Sequence, residues 1–175
     1  MKRIILIGYM GAGKTTVGRA LAKELGLDFY DLDWYIENRR RKKIPQIFAD
    51  EGEEGFRRIE YNMLHEVAEF ENVVISCGGG TPCFFDNMEY MNQQADTIYL
   101  KASPEILQYH LSIGKGVRPL LLGKSKEEVQ AFIRQQLGER EHFYSQARHT
   151  INVDRMDNFE KISITVDEIR QMLGV

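Results

Sequence analysis

A chain of 175 residues with 43% hydrophobic and 28% charged side chains has the make-up of one ordinary globular domain, spanning 1–175. A formal net charge of −3 supplies no global attraction to nucleic acid, and no apolar run approaches the length that crosses a bilayer. Cys77 and Cys83 are too few for a disulfide framework, so a reduced, cytoplasmic setting is expected.

The chain opens into Arg3-Ile4-Ile5-Leu6-Ile7, too short for a signal-peptide core and well suited to a strand buried on both faces. Gly8-Tyr9-Met10-Gly11-Ala12-Gly13-Lys14-Thr15 follows and satisfies G-x-x-x-x-G-K-[ST] at every fixed position. Residues 16–25 then place Val17, Leu21 and Leu25 on one helical face. Strand, glycine loop and helix together make a phosphate cradle. The glycines let the backbone aim its N–H groups inward, and the helix adds its positive dipole end. Lys14 suits the outer phosphates, and the Thr15 hydroxyl suits a magnesium ion bridging them. The motif names a nucleoside triphosphate and leaves the reaction open.

Residues 28–31 read as a second strand ending in Asp31-Leu32-Asp33. In extended chain both carboxylates share a face; Asp33 as the N-cap of a helix starting at Trp34 is the competing reading. In the functional reading one carboxylate supports hydrated magnesium and the other accepts from the hydroxyl that attacks the γ-phosphate. Arg39-Arg40-Arg41-Lys42-Lys43 reads as a solvated helix end that Pro45 stops. A helix is expected over 55–70, then a third strand over 73–76 running into Gly78-Gly79-Gly80. Glycines there give nothing to a core, so they signal close approach to a ligand or a tight turn before Thr81-Pro82.

A strand at 97–100, helices at 104–113 and 126–144, a strand at 150–153 and a helix at 159–173 complete the pattern. Arg57, Arg118 and Arg140 suit bidentate capture of a carboxylate or phosphate, although spacing alone favours a solvated surface charge for each. His65, His110, His142 and His149 are scattered and suggest no metal cluster. Strands alternating with helices predict an α/β three-layer sandwich on a five-stranded parallel sheet, with ligands beyond the carboxyl ends of the strands. Phosphate loop, aspartates and triple glycine would then meet in one crevice.

Taken together these segments resemble the shikimate kinases, P-loop small-molecule kinases related in fold to the nucleoside monophosphate kinases. The phosphate loop is shared by many families. Phe56-Arg57-Arg58-Ile59-Glu60, Gly78-Gly79-Gly80 and Val117-Arg118-Pro119-Leu120-Leu121 together are far more specific, and Arg140-Glu141-His142-Phe143-Tyr144 follows in the family's order. The resemblance implies a substrate-binding region at about 33–61, a mobile lid at about 112–124, and transfer of the γ-phosphoryl group of ATP to the 3-hydroxyl of shikimate, a step toward chorismate and the aromatic amino acids. It implies Mg2+ as cofactor, ATP as co-substrate, and a monomer without nucleic-acid or membrane partners. By position it assigns Gly11, Ala12, Gly13, Lys14, Thr15 and Thr16 to the ATP phosphates, and Thr15 and Asp31 to the metal. Asp33 is the expected base. Arg57 and Arg140 are expected to grip the substrate carboxylate, Gly79 and Gly80 to touch the substrate, Glu60 to orient an arginine, and Arg118 to close from the lid. Where the family often has an arginine that stacks on adenine this chain has Leu111, beside His110, which turns attention to Arg155 for that contact. A kinase for another carboxylated acceptor, such as gluconate, and a nucleotide-binding module without catalysis are the alternatives.

Overall fold

Ile4, Ile5, Leu6 and Ile7 are all fully shielded from solvent, although successive side chains of a strand point to opposite faces. A strand buried on both sides needs helices above and below the sheet. The computed structural model describes residues 1–114 and 121–175 and has that arrangement. β1 (Arg3–Ile7), β2 (Asp28–Asp31), β3 (Val73–Ser76), β4 (Asp96–Lys101) and β5 (His149–Asn152) form one parallel sheet in the order β2-β3-β1-β4-β5. Ile5 pairs with Ile75 on one side and with Thr97 on the other.

Seven α-helices lie among the described residues: α1 (Lys14–Leu25), α2 (Leu32–Arg40), α3 (Ile44–Val67), α4 (Asn87–Gln94), α5 (Pro104–Ile113), α6 (Lys126–Tyr144) and α7 (Phe159–Leu173). α1 rests on β2, β3 and α7, while α5 lies against α6. Gly18 lets α1 come down on the sheet, since a Cβ there would sit 2.6 Å from the Phe29 ring. After β1 the chain leaves toward β2, and after β3 it leaves toward β4. The two connections diverge between neighbouring strands, which opens the crevice that such sheets use for ligands.

The structure corrects several local expectations. Asp31, not Asp33, caps α2, its Oδ1 accepting from the Trp34 N–H at 3.1 Å. Asp33 is therefore released from capping. Arg41, at φ 52°, ends α2, and Pro45 opens α3 instead of stopping the helix before it; the first turn of a helix is where proline costs nothing. α3 starts at Ile44 and bends at Gly52 (φ 72°, ψ 179°), so a helix expected from 55 captures only its second limb. α4 is an addition, anchored by little more than Met88 and Met91, too short a pattern to read. The basic run ties α2 to α3 through Arg39–Glu66, Arg40–Glu51 at 2.9 Å and Lys42–Asp50 at 2.8 Å. These pairs are exposed and each is worth little. The expected lid at 112–124 falls in good part on 115–120, outside the described residues.

Candidate active site

Three positive-φ glycines, Gly8, Gly11 and Gly13, wrap the chain from β1 into α1. Gly8 passes so close to β4 that a Cβ would lie 2.8 Å from the Leu100 carbonyl oxygen. Gly13 stands at the N-cap of α1 and offers no side chain to it; the first helical bond runs from the Val17 N–H to the Gly13 carbonyl at 2.8 Å. The amides of Lys14, Thr15 and Thr16 thus precede the helical ladder, as an anion site requires. The Lys14 ammonium donates to the Gly8 and Tyr9 carbonyls at 2.6 and 2.8 Å. Burial, partly offset by the Asp33 carboxylate, lowers its pKa to about 8. A polyphosphate seated beside it would raise that pKa again.

Beside this loop the Thr15 hydroxyl donates to Asp31 Oδ2 at 3.0 Å. Asp33 follows on the first turn of α2, against the start of the triple glycine. Burial, then the nearby charges of Asp31 and Glu60, pushes its carboxyl up to about 6. A base that titrates near neutrality is what proton acceptance from a sugar-like hydroxyl calls for.

The triple glycine is packed one residue at a time. A Cβ on Gly78 would stand 3.1 Å from Asp33 Oδ1, one on Gly79 would stand 3.0 Å from Arg140 Nη1, and one on Gly80 would stand 2.6 Å from Arg57 Nη2. One carboxylate and two guanidinium groups therefore face three successive backbone units. Neither arginine is the surface charge that spacing favours. The Arg57 side chain is only 12% exposed and its Nη1 donates to Glu60 at 3.0 Å; Glu60, itself buried, accepts from the Thr81 hydroxyl at 2.7 Å. Phe84 lies flat to the same guanidinium at 4.2 Å. Arg57 Nε is buried with no hydrogen-bond partner, the Glu53 carboxylate standing 3.7 Å from it. Arg140 is half-buried over the Tyr9 ring, and Tyr144, one turn along α6, donates to the Gly79 carbonyl at 2.5 Å. Tyr9 itself reaches Gln136 of α6.

A cavity of about 620 Å³ runs from the phosphate loop past both aspartates to Gly78 and Gly79, lined by Gly11, Lys14, Thr15, Asp31 and Asp33 among others; Arg57, Gly80 and Arg140 lie beyond its lining residues. Arg155 is not among the lining residues, its guanidinium lying over the Tyr109 ring 4.2 Å from the centroid, while its neighbour Met156 forms part of the wall. Arg118 lies outside the described residues. Cys77 is buried and burial raises its thiol well above the usual range, so it stays protonated. Thr81, Tyr144 and His110 escape sequence reading because each acts on a residue far away in the chain; only contacts reveal them.

Thr15 and Asp31 offer hard oxygen donors at the cavity floor, and no cluster of three or more His, Cys, Asp or Glu side chains able to hold a metal occurs among the described residues. That donor set fits Mg2+, which keeps its waters and leans on phosphates in preference to a protein cage.

A family model described as "Shikimate kinase" matches residues 10–172. A curated shikimate kinase of Phocaeicola vulgatus is 54% identical over 174 residues, covering 99% of each chain. A crystal structure of shikimate kinase from Bacteroides thetaiotaomicron superposes with a TM-score of 0.96 at 50% identity over 99% of both chains. A shikimate kinase from Acinetobacter baumannii in complex with shikimate superposes with a TM-score of 0.84 at 34% identity, covering 99% of this chain and 94% of that one.

Proposed function

The chain belongs to the shikimate kinase family, and from that premise we infer how its own residues transfer the γ-phosphoryl group of ATP to the 3-hydroxyl of shikimate, giving shikimate 3-phosphate and ADP. One observation carries the reading: Asp33, Arg140 and Arg57 face Gly78, Gly79 and Gly80 in turn, beside the phosphate loop. A molecule with one carboxylate and several hydroxyls matches that order of charges.

The backbone from Gly11 to Thr16 receives the ATP phosphates, with Lys14 leaving its loop carbonyls for them. Arg57 and Arg140 take the shikimate carboxylate in charge-assisted hydrogen bonds. Buried Glu60 holds Arg57 in place, Thr81 holds Glu60, and Tyr144 fixes the Gly79 unit. Asp33 accepts the hydrogen bond of the 3-hydroxyl and orients its lone pair along the line of transfer, since phosphoryl transfer depends on position and charge more than on covalent chemistry. Mg2+, held through Thr15 with Asp31 behind it, would neutralise charge on the phosphates. By family likeness Arg118 closes over ATP from the lid and excludes water. Arg155, over the Tyr109 ring, is the residue proposed for the adenine contact, and its neighbour Met156 stands at the cavity wall. The same reading makes the protein a cytoplasmic monomer; its two free thiols fit a reducing compartment.

The test is a coupled kinase assay with shikimate and with gluconate. Turnover with shikimate and ATP that stops on chelation of divalent metal and returns with Mg2+ is expected. Faster turnover of gluconate, or activity indifferent to the chelator, would overturn the acceptor or the metal respectively.

A further inference from the structure

His110 has no part in the transfer described above, yet it touches the phosphate loop. It lies on the last turn of α5, and its ring bridges two segments far apart in sequence. Nδ1 is 2.6 Å from the Gly11 carbonyl oxygen, and Nε2 accepts the Met156 backbone N–H at 2.8 Å. A backbone amide only donates, so Nε2 carries the lone pair and Nδ1 the proton. The two contacts select one tautomer of the ring.

The surroundings reinforce the bridge. Leu111 fills the space beside Gly11, its Cγ 3.1 Å from where a Cβ would stand. Met156 packs on the other side of the loop, its Cγ 3.3 Å from the Cβ position of Gly13. His110 and Met156 both line the cavity that holds Lys14 and Thr15. Two of the cradle's three positive-φ glycines, Gly11 and Gly13, are thus braced from α5 and from the segment after β5, and one imidazole joins those braces.

We propose that His110 is a positioning residue for the nucleotide: its Nδ1–H tautomer ties the Gly11 carbonyl to the Met156 segment, so that the phosphate cradle is set before a nucleotide arrives. The proposal rests on the assignment of the loop to a nucleotide. It does not rest on the acceptor, and it is tested without turnover.

Calorimetric titration of the full chain with ADP and, separately, with shikimate reads it directly. His110→Ala should weaken ADP about tenfold and leave shikimate within about twofold. His110→Asn keeps a donor toward Gly11, and His110→Gln keeps an acceptor toward Met156; each should recover part of the loss and neither all of it. An unchanged ADP affinity in His110→Ala, or equal weakening of both ligands, would overturn the proposal. Nitrogen-15 spectra of the histidines give a second reading on the native protein, with the Nδ1–H neutral form expected for His110 and the Nε2–H form fatal. Absence of ADP binding by the native protein would sink this inference together with the nucleotide assignment. ADP binding without phosphorylation of shikimate would sink only the choice of acceptor.

Discussion

Burial raises the Asp33 carboxyl to about 6, with Asp31 and Glu60 adding to the shift, and two consequences follow from one cause. The first is kinetic. Asp33 must be ionised to accept from the substrate hydroxyl, so kcat/KM for shikimate should climb as pH rises through about 6 and level off above it. In Asp33→Asn, kcat should fall steeply, that limb should vanish, and ADP should still bind. The second is thermodynamic. A carboxyl whose folded pKa lies above its ordinary 3.8 costs nothing below that value and its full penalty above about 6. Asp33→Asn should therefore stabilise the fold at pH 7 by on the order of 2 kcal/mol, and the gain should fade as pH drops toward 4. Denaturant melts at the two pH values check it; an equal gain at both would mean the charge is not the source. Without the family likeness, sequence reading finds Asp33 only as one of two neighbouring aspartates. The division between them is set by Asp31 turning to cap α2, which a pattern of letters does not encode.

The segment from Gly78 to Gly80 links β3 to the short 3-10 turn at Thr81–Cys83. Gly80 has φ −90° and ψ −11°, a conformation any residue adopts. What forbids a side chain is the Arg57 guanidinium, whose Nη2, Nη1 and Cζ would lie 2.6, 2.8 and 3.0 Å from a Cβ. Gly80→Ala should hence displace the far end of a long side chain and leave the backbone alone. KM for shikimate should rise at least about tenfold, KM for ATP should hold, and thermal stability should change by less than about 1 kcal/mol. Equal KM values for shikimate before and after would show that Arg57 does not grip it. The triple glycine and the phosphate loop are legible as elements because glycine marks close approach directly. Arg57 and Arg140 are legible only through family likeness, since their burial depends on Glu60, Thr81, Phe84 and Tyr9 arriving from other elements. α4 is lost because it carries no full apolar face of its own, and the first limb of α3 because Pro45 reads as a stop where it opens the helix.

At the scale of the molecule, the five-stranded order places two ligand sites side by side at one end of the sheet. The phosphate loop follows β1, and the triple glycine follows its neighbour β3. This much is readable from alternating strands and helices, because parallel topology leaves few choices for where strand ends meet. The two proposed sites adjoin at Gly78 and Gly79 but draw on different side chains, so their binding energies should separate. A ligand at about one hundred times its Kd stabilises the folded state by about 2.7 kcal/mol, which for a domain of this size raises Tm by roughly 5 to 10 °C. ADP and shikimate should each give the native protein a shift of that order. Lys14→Met should lose the ADP shift and keep the shikimate shift, whereas Arg57→Ala should do the reverse. Thermal melts of the two variants with each ligand decide it. If either substitution abolishes both shifts, the ligands occupy one indivisible site, and the assignment of separate residues to phosphate and carboxylate fails with it.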